Sequence, residues 1–236
     1  TNTSIIRNYY AQSIIVHEMG HQWWGDMITC RDWQNIWMNE GFASYVEALW
    51  FESLGTFADL RTYMNGMRYT SGGSIYCTDT TYVWGIFDIR VYNKGAWALH
   101  MLRHVVGDET FFNIFRTYYA DSRYKWKDVT TEDFRDLCEE VSGMDLHGFF
   151  QDWIYGTYYP KYSYSYLSEQ RGINTYRVYV HVRQTQLTNP TVFRMPVIDV
   201  SVNAGSYVDF QVPMMDREKD YVFDLTNVLT PPSGVA

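Results

Sequence analysis

Proline is absent from the first 159 of the 236 residues; all six, Pro160, Pro190, Pro196, Pro213, Pro231 and Pro232, come later. No pyrrolidine ring therefore interrupts helices in the first two thirds of the chain. Cysteine is scarce. Cys30, Cys77 and Cys138 are an odd number without C-x-x-C spacing, which excludes a disulfide framework and a thiolate metal site. They leave room for one bridge, so the redox compartment stays open. No apolar run reaches the roughly 18 residues that cross a bilayer. Basic residues are the minority, 19 Lys+Arg against 27 Asp+Glu for a net charge of −8, and form no cluster. That argues against a nucleic-acid partner, whose phosphates need neutralising. Internal repeats and low-complexity stretches are missing too. What is present is an ordinary globular composition, 46% hydrophobic and 19% charged. Aromatics make up 18%, with Tyr alone appearing 21 times, and packing in a core is the expected use of most of them. The chain opens at Thr1, without an initiator Met or a signal peptide, in what reads as the body of a helix. It is expected to be a piece of something longer.

Apolar residues recurring at the helical period predict helices over 4–27, 39–54, 57–70, 93–106, 109–121, 131–142 and 145–155. Thr130 with Asp133 three residues on reads as a capping box, and Gly55, Gly107 and Gly143 sit at C-termini. After Pro160 the period becomes two: Tyr162, Tyr164 and Tyr166, then Tyr176, Val178, Val180 and Val182, then Val208, Phe210 and Val212 alternate with more polar neighbours. These predict antiparallel strands with one buried face. The expectation is a mainly helical domain over 1–159 followed by a small antiparallel β-sandwich-like domain over 160–236.

Residues 17–21 read His17-Glu18-Met19-Gly20-His21. On a helix, positions i and i+4 lie about 40° apart and one turn along, so both imidazoles project to a common point. Two nitrogens so placed suit one zinc ion, and Glu18, about 100° round from His17, stands where it could accept a proton from water. The pentapeptide alone would also suit two surface histidines flanking a solvated Glu. A second element argues against that. A catalytic zinc wants a third protein ligand and one open position, and Asn39-Glu40-Gly41-Phe42-Ala43 opens the next helix. Eighteen residues separate His21 from Glu40, enough for a helix end, a loop and a return that sets Glu40 beside the histidines. Glu47 lies two turns beyond Glu40 on the same face and is the candidate acceptor for a ligand histidine's second N–H. His100 and His104 repeat the i, i+4 spacing, but no acid lies between them and no third ligand is suggested nearby. Trp23 and Trp24 are expected to pack in the core and between helices.

The segments HEMGHQWWGDMIT at 17–29, WMNEGFASYVE at 37–47 and Tyr92-Asn93-Lys94-Gly95 resemble those of the gluzincin zinc aminopeptidases, the aminopeptidase N and leukotriene hydrolase relatives. The similarity continues loosely to Asp152-Trp153 and into the β-segment. It implies the helical half of a thermolysin-like peptidase fold, one zinc per chain and a peptide substrate. It also implies His17, His21 and Glu40 as ligands and Glu18 as general base. Tyr92 matches the family tyrosine that donates to the developing oxyanion, and a Glu stands at the position of Glu47. Two other readings stand beside this one: an endopeptidase or epoxide hydrolase on the same scaffold, and a non-catalytic interaction scaffold. The family's G-x-M-E-N segment, whose Glu holds the substrate's free amine, matches nothing in the 16 residues before His17. The chain is therefore expected to bind zinc, to cleave amino-acid anilides slowly, and to self-associate through surfaces that further sequence would cover.

Overall fold

In the computed structural model, which describes residues 9–236, several helices start where the chain supplies its own side-chain caps. After α1 (Tyr9–Gly20), a short 3₁₀ turn at Trp33–Asn35, capped by the Asp32 carboxylate, leads into α2 (Trp37–Leu54). Thr56 and Asp59 form a reciprocal capping box at the head of α3 (Phe57–Gly66), and α4 is a single turn at Val83–Ile86. Asp88 accepts from the Arg90 amide at the start of α5 (Ile89–Val106), and Gly107 joins α5 to α6 (Asp108–Ala120). The Thr130/Asp133 capping box opens α7 (Thr131–Ser142), which ends at Gly143 in the left-handed conformation. α8 (His147–Phe150) runs on into a π-helical turn over Gln151–Tyr155.

Several of these differ from the periodicity reading. Part of the segment 4–27 lies outside the described residues, and α1 ends at Gly20 rather than 27. α3 stops at Gly66, and α5 starts at Ile89, which puts Tyr92 inside the helix. A parallel pair unites β1 (Ile28–Cys30) with β2 (Lys127–Val129) inside the helical unit. Each has only three residues, too short for a period to register.

An aromatic cluster fills the helical core: Phe42 lies 5.0 Å from both Trp24 and Phe134, and Tyr118 lies 5.0 Å from Phe134. Trp23 departs from expectation. It is 47% exposed, because the chain turns at the end of α1 and directs only Trp24 inward.

The crossing of α2 and α5 is set by two glycines. A Cβ built on Gly95 would stand 2.8 Å from the Gly41 Cα, and one on Gly41 2.8 Å from the Gly95 Cα. The helices touch backbone to backbone there, and this draws Glu40 and Tyr92, one neighbour on each helix, together. Gly95→Ala should destabilise the fold. Overpacking against a backbone atom costs about 1–3 kcal/mol, and better helix propensity returns about 1 kcal/mol at most. Gly66→Ala, whose Cβ meets nothing within 4 Å, should be neutral or slightly stabilising. Paired urea unfolding curves check this, and equal midpoints for the two variants would show that the crossing is not tight.

The chain divides into two compact units between Thr157 and Tyr158. In the second, β3 (Tyr162–Gly172), β4 (Thr175–Gln184) and β7 (Glu218–Thr226) form one antiparallel sheet in the order β3-β4-β7. β5 (Met195–Asn203), β6 (Tyr207–Met214) and β8 (Gly234–Val235) form the other, in the order β6-β5-β8. Phe210 of one sheet stacks on Phe223 of the other at 4.1 Å. Val178, Val180, Val182, Val200 and Val202 are buried with Phe223, and Phe210 is half-buried. The opposite face of the first sheet carries the Arg177–Asp224 ion pair at 2.7 Å and the His181–Asp220 hydrogen bond at 2.8 Å, as the two-residue period requires.

Candidate metal centre

The last turn of α1 and the residue just past it present His17 and His21 side by side, with ring centroids 4.7 Å apart and planes at 85°. Glu40 enters from the first turn of α2, where the helix N-terminus favours a negative charge. Its Oε2 lies 3.2 Å from His17 Nε2 and 3.4 Å from His21 Nε2, and the two Nε2 atoms are 3.1 Å apart. The rings' other nitrogens are engaged. His17 Nδ1–H donates to Glu47 Oε1 at 2.8 Å, and His21 Nδ1–H donates to the Trp24 carbonyl at 3.0 Å. Gly25, at φ +147°, closes the turn that brings this carbonyl round. A Cβ there would stand 3.2 Å from His21 Nδ1.

With both Nδ1 atoms donating, both Nε2 lone pairs face each other and a carboxylate. Three electron pairs converging in a half-buried site repel unless a cation, a proton on an Nε2 or a metal ion, lies among them. The titration of the groups expresses the same demand. Burial opposes a proton on His17, but hydrogen bonds to Glu40 and Glu47 and their charges outweigh it and raise its pKa to about 9. The hydrogen bond to Glu40 raises that of His21 against its burial. Burial likewise opposes ionisation of Glu40, yet the two histidines bring its carboxyl down to about 2. Four-coordinate zinc, with bonds of about 2.0–2.1 Å, spaces neighbouring ligand atoms by about 3.3–3.4 Å. The three separations here, 3.1, 3.2 and 3.4 Å, fit that demand. Among the described residues, His17, His21 and Glu40 are the group that could hold a metal ion.

The cluster opens on a cavity of about 1190 Å³, also lined by Glu18, Glu47, Tyr63, Tyr92 and Met67. Glu18 is exposed to it. Tyr92 stacks on the His17 ring at 5.9 Å. Burial, then the charges of Glu40 and Glu18, push its pKa up to about 12, so at neutral pH the phenol remains a donor. Lys94, two residues on, is buried and donates to the carbonyls of Gly156 at 2.6 Å and Gly73 at 3.3 Å. It thereby anchors the start of α5 to two loops. Burial, then the Arg90 charge, lowers its pKa to about 7.

The structure thus gathers the six candidate site residues, His17, Glu18, His21, Glu40, Glu47 and Tyr92, at one cavity. His100 is directed elsewhere, toward the Tyr45 hydroxyl at 3.3 Å and the Trp97 ring at 5.4 Å. Sequence reasoning missed Tyr63, which donates to Glu47 Oε2. No spacing rule marks it among 21 tyrosines. The roles of Gly25, Gly41 and Gly95 were hidden too, since they depend on what each approaches.

Two imidazoles and a carboxylate on a helix pair, with a cavity beside them, are the donor set and setting of a zinc hydrolase. Residues 1–153 match the Peptidase family M1 domain, and the chain belongs to that family. It is 26% identical over 232 residues to probable aminopeptidase 2 of Sulfurisphaera tokodaii, covering 94% of this chain and 28% of that protein. It is 32% identical over 153 residues to aminopeptidase N of Streptomyces lividans, covering 59% of this chain and 18% of that one. The fold is shared with Legionella pneumophila aminopeptidase A, solved with aspartic acid, at a TM-score of 0.77 and 21% identity over 94% of this chain and 25% of that one. An M1 zinc metallopeptidase from Deinococcus radiodurans, solved as a mutant with a Tyr-Ser-Ala substrate, matches at 0.53 and 30% identity over 60% of this chain and 32% of that one. The chain spans well under a third of the length of the curated relatives it matches, 28% of the first and 20% of an aminopeptidase N from Lactococcus lactis.

Proposed function

We propose that this chain carries the zinc centre of a metallo-aminopeptidase. In this reading the helical unit is the helical half of a thermolysin-like gluzincin fold, and the strands after it form a β-sandwich-like domain. One zinc per chain is held by His17, His21 and Glu40. The observation that carries this is the convergence of three lone-pair-bearing atoms at 3.1–3.4 Å, with both outer imidazole nitrogens already committed. The relatives named aminopeptidases support the choice of the N-terminal peptide bond.

Zinc bound there supplies Lewis acidity, bringing the pKa of water from 15.7 down to about 7 and withdrawing charge from a carbonyl oxygen. The chain's own groups do the rest. Glu18, beside the cluster but outside it, takes the proton of the attacking water and passes it to the leaving amine. Tyr92, protonated at neutral pH, donates a hydrogen bond to the carbonyl oxygen as negative charge gathers on it. Glu47 fixes the His17 tautomer and keeps its Nε2 pointed at the cluster.

The test compares a leucine anilide having a free amine with its N-acetylated form, each with and without a zinc chelator. Chelator-sensitive release from the free-amine substrate alone is expected. Equal cleavage of the blocked substrate would refute the N-terminal preference.

A further inference from the structure

Glu47 is buried and has both oxygens engaged: Oε1 accepts from His17 Nδ1 at 2.8 Å, and Oε2 accepts from the Tyr63 hydroxyl. Tyr63 reaches it from the last turns of α3, with its ring stacked on Phe51 of α2 at 4.6 Å and 27°. Its hydroxyl also interacts with Ser13 of α1. One phenol therefore joins three helices behind the metal cluster.

We propose that Tyr63 is a positioning residue for the metal centre: by donating to Glu47 it holds that carboxylate against His17 and so sets how tightly the cluster binds zinc. This rests on the reading of His17 as a ligand. The reasoning is steric and electrostatic. A carboxylate can swing about its terminal torsion, and only a second fixed donor pins Oε1 in the line of Nδ1–H. A buried charge with one donor removed is also poorly compensated, and it relaxes toward whatever else can solvate it. Burial and the neighbouring carboxylate raise the phenol's pKa, so Tyr63 stays a donor throughout the neutral range. His21 needs no such support. Its partner is the Trp24 backbone carbonyl, already fixed by the turn at Gly25.

The experiment is a double-mutant cycle on zinc affinity, read by competition with a chromophoric chelator for wild type, Tyr63→Phe, Glu47→Gln and the pair. Tyr63→Phe keeps the ring stacked on Phe51 and removes the hydroxyl, with its donation to Glu47 and its contact with Ser13. Partners of a ligand histidine are worth about 10–100-fold in metal affinity. Glu47→Gln should fall in that range and Tyr63→Phe near its lower end, at about tenfold. The pair should bind no more weakly than Glu47→Gln alone: glutamine has a single acceptor oxygen, and with that oxygen on His17 Nδ1–H its NH2 faces Tyr63, which then no longer donates to it. Tyr63→Phe within about twofold of wild type, or the same loss repeated in the Glu47→Gln background as for independent sites, would overturn the proposal. Circular dichroism of the zinc-free variants reads folding separately, and Tyr63→Leu repeats the cycle should the phenylalanine variant not fold. A wild-type chain that binds no zinc is a distinct result. It would overturn the ligand assignment itself.

Discussion

His17→Ala and Glu40→Ala should each leave the chain without firmly held zinc, whereas the wild type should retain one ion per chain after dialysis against a weak chelator. Removing a ligand takes away one of three protein donors, a larger loss than the 10–100-fold attached to groups that merely orient ligands. The sign of the pH dependence follows from the metal-free groups. With the His17 pKa at about 9, zinc binding near neutrality must displace a proton from it. Affinity should therefore rise with pH, by about tenfold per unit for each proton displaced, until His17 is deprotonated without help. For the zinc-free chain, the His17 pairing adds stability that is complete below its ordinary pKa of 6.5 and is lost as pH rises through about 9. The rise in melting temperature produced by zinc should then widen between those limits. Metal analysis and melting curves at pH 6, 7.5 and 9 read both effects. Full zinc occupancy in both alanine variants, or affinity falling with pH, would remove the basis for the assignment.

Glu18→Gln separates binding from chemistry. Zinc content should equal that of wild type, since Glu18 is exposed to the cavity and outside the ligand cluster. Hydrolysis should fall by about 10²–10⁴, the range for a positioned general base. Tyr92→Phe makes a companion. Its ring keeps the stacking on His17, and loss of the donor alone should lower kcat by about 10²–10³ with little change in KM. Rates for Glu18→Gln within a few-fold of wild type would mean another group takes the proton.

How much of this centre could be read beforehand varies residue by residue. His17 and His21 were legible because helix geometry is local: four positions bring side chains together whatever the rest of the chain does. Glu47 was legible for the same reason, being two turns from Glu40 on one helix. Tyr63 was not. It meets Glu47 through the path of the chain after Gly55, and no period connects the two. Tyr92 needed the motif around it, because what brings it to His17 is the contact of Gly41 with Gly95, 54 residues apart in the chain.

By itself the sequence determined the features that arise within a turn or two of backbone. These are the helix starts at Thr56 and Thr130, the paired imidazoles of α1, and the alternation that makes one face of β4 apolar. Caps, i, i+4 neighbours and strand pleats depend on a few consecutive torsions, so a few residues suffice to specify them. Tertiary structure alone decided where α1 stops, that Trp24 turns inward and Trp23 does not, and that Ile28–Cys30 pairs with Lys127–Val129. It also decided that three lone pairs from two helices meet within 3.4 Å. Those outcomes are settled by which surfaces can be buried together at once, a property of the packed chain rather than of any window along it.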